Sequence, residues 1–307
     1  MKKLSIFLLI VVLIVGFVFT GCGSNNAPQT SEPAATEAAE EPAAPADEET
    51  PAATDEEAAA EPFIVGMECA YPPYNWTQTD DSNGGVALEG GQYAGGYDVE
   101  IAKKIAEGLG RELIVVPTSW DGLIPALESG VIHAIIAGMS PTDERKESID
   151  FTDSYYREDI VLGMVVKKGG AFEAATGLAD FSGAKITAQL GTYHYDKISQ
   201  IEGVSLQEAM KDFTAMRVAL SSGIIDGYVS EKPEGESAMA ADPDTYVFIE
   251  FADGQGFDLS EGDTSIAVGI KKGNGDLVAA INAALAGISE DERKAMMEAA
   301  TANQPAA

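Results

Sequence analysis

Cysteine and histidine are nearly absent from this chain: 307 residues contain two of each. With only Cys22 and Cys69 available, no disulfide framework can form, and a hydrophobic core has to hold the fold. Cys69 sits in an apolar stretch and reads as a small interior residue rather than a reactive thiol. His133 and His194 are not spaced as metal ligands, and His133, in an apolar run, reads as an interior or edge residue. There is no HExxH, no G-x-x-x-x-G-K-[ST] loop and no G-x-S-x-G elbow, so those zinc-hydrolase, P-loop and serine-hydrolase templates fail. Basic residues are scarce as well: 19 Lys and Arg stand against 50 Asp and Glu, a net charge of −31. A surface of that sign repels the phosphates of nucleic acid.

What is present begins with an export signal. Lys2 and Lys3 precede an unbroken apolar run from Ile6 to Val15, continued by Phe17, Val18 and Phe19. The run is short for a membrane span and leads straight into Thr20-Gly21-Cys22. This pattern resembles the bacterial lipobox, with Phe19 where Leu is favoured. The resemblance implies removal of residues 1–21 and a diacylglycerol on the Cys22 thiol, which anchors the chain to the extracytoplasmic face of the cell membrane. An uncleaved N-terminal anchor is the alternative, and it too leaves the remainder outside the cytoplasm. Residues 22–61 form the next segment. From residue 24 onward it holds eleven carboxylates, no basic residue, and no aromatic or branched aliphatic side chain. Such a stretch cannot bury enough surface to offset ordering entropy, so it is expected to be a disordered spacer, extended by its own charge.

From Phe63 the pattern becomes short apolar strands alternating with amphipathic helices, which argues for α/β sheets. Strands are expected at 63–67, 112–116, 131–137, 160–167, 184–189, 224–229, 246–251 and 265–270. Helices are expected from Asp98 as cap to Leu109 with Gly110 as stop, over 122–128, and from Ser140 or Thr142. Further helices are expected from Thr192 and over 216–221, 235–241, 276–288 and 290–299.

Six segments carry a family resemblance: VGMECAYPPYNW (65–76), GGYDVEIAKKIAEGLG (95–110), WDGLIPALESG (120–130), AIIAGMSPTDERKESIDFTDSYY (134–156), AQLGTYHY (188–195) and DGYVSEKP (226–233). In this order they resemble the polar amino-acid-binding proteins of ABC importers, over nearly all of 63–307. The resemblance implies a two-lobed α/β fold of the periplasmic-binding-protein type, each lobe a sheet flanked by helices. Lobe one would be discontinuous (63–158 and 254–307) and lobe two would span 159–253. A hinge closes such lobes on a ligand in the cleft. The implied function is extracytoplasmic capture of a polar or cationic amino acid and its delivery to a permease, with no cofactor.

A buried zwitterion needs partners for both charges. Arg145 offers a planar fork for a carboxylate, and its alternative is a surface ion pair with Asp143 or Glu144. Gly138 to Thr142, a strand leading into a helix start, would add backbone N–H groups and the Ser140 hydroxyl. Gly138 stands where some relatives have Ser, so its contact would be backbone only. In the second lobe the resemblance assigns carboxylate contacts to Gln189 and Thr192, with Tyr193 and His194 departing from the family's small polar residues. Glu231 stands where the family has an Asp for the α-ammonium; alternatively it is a solvated helix-capping carboxylate. Tyr71 and Trp120 match the aromatic pair that flanks the ligand's stem, Tyr74 lies close by, and Glu68 stands where members selective for polar or cationic side chains carry an acid. Two rival functions stay open. One is an enzyme on the same scaffold, of the dehydratase kind, with Glu68 and Glu231 as acid and base. The other is a sensory module for a membrane receptor.

Overall fold

The computed structural model describes residues 60–157 and 161–305. The signal segment, Cys22, the acidic spacer as far as residue 59 and the boundary at 158–159 lie outside the described residues. Among the described residues no helix is long and apolar enough to cross a membrane.

Two five-stranded sheets carry the fold, and they repeat one topology. The first runs Leu113–Pro117, Phe63–Met67, Ala134–Ile135, Ile266–Lys271, Ile149–Tyr156. Its first three strands are parallel, and Ile266–Lys271 is antiparallel to both neighbours. The second runs Ser205–Leu206, Lys185–Thr187, Gly227–Glu231, Leu162–Lys167, Tyr246–Ile249, again with three parallel strands followed by an antiparallel one. Because Ile266–Lys271 returns to the first sheet after the second is complete, lobe one is discontinuous and the chain crosses between lobes twice. A small antiparallel sheet joins Ala70–Tyr71, Asn75–Gln78, Tyr93–Gly95 and Val86–Ala87.

The strands read as apolar runs because both faces are covered. In Leu162–Lys167, Leu162, Met164 and Val166 enter a cluster with Phe181, Ile186 and Val229. The alternate residue Val165 enters the larger cluster with Phe213, Met216 and Tyr228, as a side-chain period of two requires.

Local signals place several element ends. Gly110, in the left-handed region at φ 63°, closes the helix Tyr97–Leu109, as a residue without Cβ can. The Thr142 hydroxyl accepts the Arg145 N–H and starts Asp143–Ser148, and Thr192 precedes Tyr193–Lys197. Other expectations are corrected. Asp98 is not a cap: the helix begins at Tyr97 with Gly96 before it, and Asp98 is fully buried in the first turn. The strand expected at 131–137 pairs only over Ala134–Ile135, and Gly138, in the left-handed region at φ 62°, bends the chain out of the extended run. The strand Ile149–Tyr156 was not anticipated; its mixed burial hides the alternation that marks a half-covered strand.

Candidate ligand-binding site

In α/β sheets of this kind, ligands meet the loops beyond the carboxyl ends of the parallel strands. The residues singled out in the sequence lie there in both lobes. Glu68 follows Phe63–Met67, Trp120 opens the helix after Leu113–Pro117, and Gly138 and Ser140 follow Ala134–Ile135. On the other side Gln189 and Thr192 follow Lys185–Thr187, and Glu231 ends Gly227–Glu231.

The structure brings these groups into one network across the cleft. Glu231 is 1% exposed, so it is not a solvated cap. Tyr71 donates its hydroxyl to Glu231 Oε2 at 2.6 Å, joining positions 160 residues apart. His194 Nε2 lies 2.7 Å from Glu231 Oε1, and the Tyr193 hydroxyl is shared between Oε1 at 3.4 Å and the Asp263 carbonyl at 3.1 Å. Burial alone would raise the Glu231 pKa, but the pull of His194 and the Tyr71 hydrogen bond outweigh it and hold the carboxyl below its ordinary value.

Arg145 turns away from its acidic neighbours; Asp143 pairs instead with Lys146 at 3.2 Å. Its guanidinium donates to the Ser140 carbonyl at 2.9 Å and the Gly191 carbonyl at 3.3 Å, and lies 4.9 Å from the Trp120 ring centroid. Trp120 Nε1 donates to the same Gly191 carbonyl at 3.1 Å. One backbone carbonyl of lobe two therefore holds two lobe-one side chains. The Thr192 hydroxyl donates to Gln189 O at 2.7 Å. Gly138 sits at φ 62°, and a Cβ there would lie 2.7 Å from the Tyr71 ring; only glycine fits beside that tyrosine.

At the far end, Gln189 Nε2 donates to Glu68 Oε1 at 2.8 Å. The partner of Glu68 is thus a neutral amide and not a lysine or arginine. Burial, reinforced by Asp212 and Asp121, outweighs the hydrogen bonds from Gln189 and the Trp120 backbone and pushes the Glu68 pKa up to about 7. Glu68, Trp120, Asp121, Asp212 and Lys211 line a cavity of about 190 Å³. Lys211 is spent on Asp212 at 2.9 Å.

Where buried polar atoms lack partners marks where a partner is meant to come. Among the described residues these atoms are Glu68 Oε2, the Tyr74 hydroxyl and His194 Nδ1, the other ring nitrogen of His194 being held by Glu231. All belong to this cleft. A larger groove of about 890 Å³, flanked by Tyr156, Pro233, Leu285 and Met297, contains none of them and is not the chemical centre.

Comparison with known proteins gives the family. The model of the bacterial extracellular solute-binding proteins, family 3, matches residues 63–300. The chain belongs to this family. Over 197 residues it is 32% identical to a probable histidine-binding protein of Campylobacter jejuni, covering 64% of this chain and 70% of that one. It is 33% identical over 224 residues to an L-arginine-binding protein of Pseudomonas aeruginosa, covering 68% and 80%. An ancestral arginine-binding protein solved with arginine superposes with a TM-score of 0.63 at 29% identity, covering 77% of this chain and 96% of that one.

Against this solute-binding frame, two features of the cleft escape the sequence. Phe213 stacks on Tyr71 with centroids 4.5 Å apart and planes 7° from parallel. The Tyr71 ring, expected against a ligand stem, therefore has one face on protein. Asp212 before it accepts the Ala215 N–H as a helix cap, which marks a helix start in the sequence but not a cleft wall. His194 is 4% exposed and set against Glu231, although its flanking residues carry no sign of such a partner.

Proposed function

We propose that this protein captures a polar amino acid, with cationic side chains favoured, outside the cytoplasm and delivers it to the permease of an ABC importer. One observation carries the reading. The fork of Arg145 and the buried carboxylate of Glu231 face a common cleft, whose far end holds a buried carboxylate oxygen of Glu68 without a partner. The first two complement a zwitterion's carboxylate and ammonium, and the third sits in an acidic cavity where a side chain ends. The names of the relatives, which bind histidine and arginine, support the same chemistry. In this reading Gly138, Ser140, Gln189 and Thr192 frame the carboxylate, Tyr71 and Trp120 line the stem, and Glu68 selects the side chain. Glu231 Oε2 has a second lone pair beside the one that accepts the Tyr71 hydroxyl, so an ammonium can join that hydrogen bond without displacing it. Residues 63–158 with 254–307 form lobe one and 159–253 form lobe two.

The test is to denature freshly purified protein and identify what it releases by mass. An unmodified polar or cationic amino acid is the expected result; an empty cleft that binds none of a panel of amino acids would sink the proposal. A carboxyl raised to about 7, as Glu68 is, is also what a general acid needs. The same mass measurement after incubation with amino acids separates capture from turnover, since capture returns the ligand unchanged.

Tethering through Cys22 belongs to the same proposal. Cys22→Ala is expected to abolish metabolic labelling with a fatty acid while purified protein still binds amino acid. Equal labelling of the variant would remove the lipid anchor from the picture.

A further inference from the structure

One buried group stands behind the cleft without touching it. Asp98 is fully buried, and a desolvated carboxylate persists only where donors surround it. Its two oxygens face in two directions. Oδ1 accepts the Tyr155 hydroxyl at 2.7 Å, and that hydroxyl accepts the Gly138 N–H at 3.2 Å. Oδ2 accepts Asn75 Nδ2 at 2.8 Å, and Asn75 Oδ1 accepts the Cys69 N–H at 2.7 Å. The backbone repeats the second link, because the Asp98 N–H donates to the Tyr74 carbonyl at 2.7 Å. Gly138 opens the loop that leads to Ser140 and Arg145. Cys69, held at φ 53°, begins the turn that carries Tyr71 and Tyr74.

We propose that Asp98 is a positioning residue that sets the two lobe-one walls of the ligand site relative to each other, the Gly138 loop through Tyr155 and the Tyr71 turn through Asn75. The proposal rests on the reading that those walls meet the ligand. Its physical content is directional. Every link needs a donor to meet an acceptor, and the Asp98 carboxylate is the one member that only accepts. The Tyr155 hydroxyl spends its proton on Asp98 and so keeps its lone pairs for Gly138. Asn75 turns its amide nitrogen to Asp98 Oδ2 and so presents its carbonyl to Cys69. The two walls pack directly on each other, since Gly138 and the Tyr71 ring leave no room for a Cβ between them, and a small shift of either is felt by both.

This polarity gives a test that distinguishes positioning from bulk stability. Asp98→Asn keeps the shape but puts an amide donor against Tyr155 or Asn75. If Asn75 turns to accept it, its own amide then faces the Cys69 N–H. The double variant Asn75→Asp with Asp98→Asn restores the pattern, because the new carboxylate accepts from both the Cys69 N–H and the new amide, whose oxygen still accepts Tyr155. Calorimetry with L-arginine should show about a tenfold or greater loss of affinity in Asp98→Asn. The double variant should recover to within about threefold of wild type. Tyr155→Phe removes the hydroxyl between Asp98 and Gly138, leaving only the direct backbone contact of Gly138 with Asp98 and the Asn75 link, and should also lose about tenfold, which keeps the test decisive if Asp98→Asn fails to fold. Thermal unfolding is read alongside. Wild-type affinity in folded Asp98→Asn and Tyr155→Phe, with binding lost in Arg145→Ala, would overturn the positioning role and leave the site reading intact. A double variant that folds but stays as weak as Asp98→Asn would overturn it too. Wild-type affinity in Arg145→Ala would sink the site reading and the positioning role with it.

Discussion

Arg145→Ala should cost roughly 2–5 kcal/mol of amino-acid binding, whatever the side chain of the ligand. The guanidinium is held in place before any anion arrives: it is bonded to the Ser140 and Gly191 carbonyls and braced on the Trp120 face. Little rotamer entropy is then left to lose when it receives a carboxylate. Removing it leaves a desolvated anion facing a neutral wall, so the loss includes the penalty of the unpaired charge. Arg145→Lys should recover only part of the affinity, since a point charge satisfies neither the two carbonyls nor a two-oxygen anion together. Because Gly191 belongs to the second lobe, the alanine variant should also loosen the contact between lobes, visible as a larger radius in small-angle scattering. Titration calorimetry giving wild-type affinity in Arg145→Ala would reject the assignment.

Glu68 is expected to make the binding of cationic ligands depend on pH. Burial raises its pKa to about 7, with Asp212 and Asp121 adding to the rise, so the protein holds a proton there in mildly acid solution. A guanidinium or ammonium placed against Oε2 favours the ionised form and lowers the pKa in the complex. Between the two pKa values the ligand expels a proton, and affinity therefore rises with pH, by up to about tenfold per unit, until it levels off above about pH 7. A neutral ligand such as L-glutamine brings no charge and should show much less of this slope, and L-glutamate should be disfavoured once Glu68 ionises. Glu68→Gln isolates the effect from the other titrating groups. The variant should lose most for L-arginine and L-lysine at about pH 8, least at about pH 5.5, and little for L-glutamine throughout. Parallel pH curves for wild type and variant, or an unchanged order of preference across a thermal-shift panel, would remove Glu68 from selectivity.

Much of the architecture was legible locally. Strand and helix alternation, the Gly110 stop, a helix start at Ser140 or Thr142 and another at Thr192 follow from turn chemistry and periodicity, which act over a few residues, and the structure places the first of these starts at Thr142. The small sheet built on Ala70–Tyr71 and its neighbours was not legible, because strands of two to four residues carry no measurable period. Asp98 shows the same limit at the level of one residue. An acidic residue at a helix start reads as a cap, and only the approach of Tyr155 and Asn75 turns it into a buried acceptor.

The sequence by itself determined which chemical groups the cleft could contain. Residue types at strand ends are set by the chain, and the ends of parallel strands converge wherever the sheet forms. Arg145, Glu231, Glu68, Tyr71 and Trp120 could be named because the segments that carry them resemble those of the amino-acid-binding family. The tertiary structure alone decided what each of them faces. Glu231 meets Tyr71 and His194, Tyr71 meets Phe213, and Glu68 keeps one oxygen without a partner. Such contacts join positions far apart in the chain, and whether a carboxylate is paired, desolvated or free depends on everything packed around it. No local pattern carries that information, because burial is a property of the whole lobe and of the opposite lobe that closes on it.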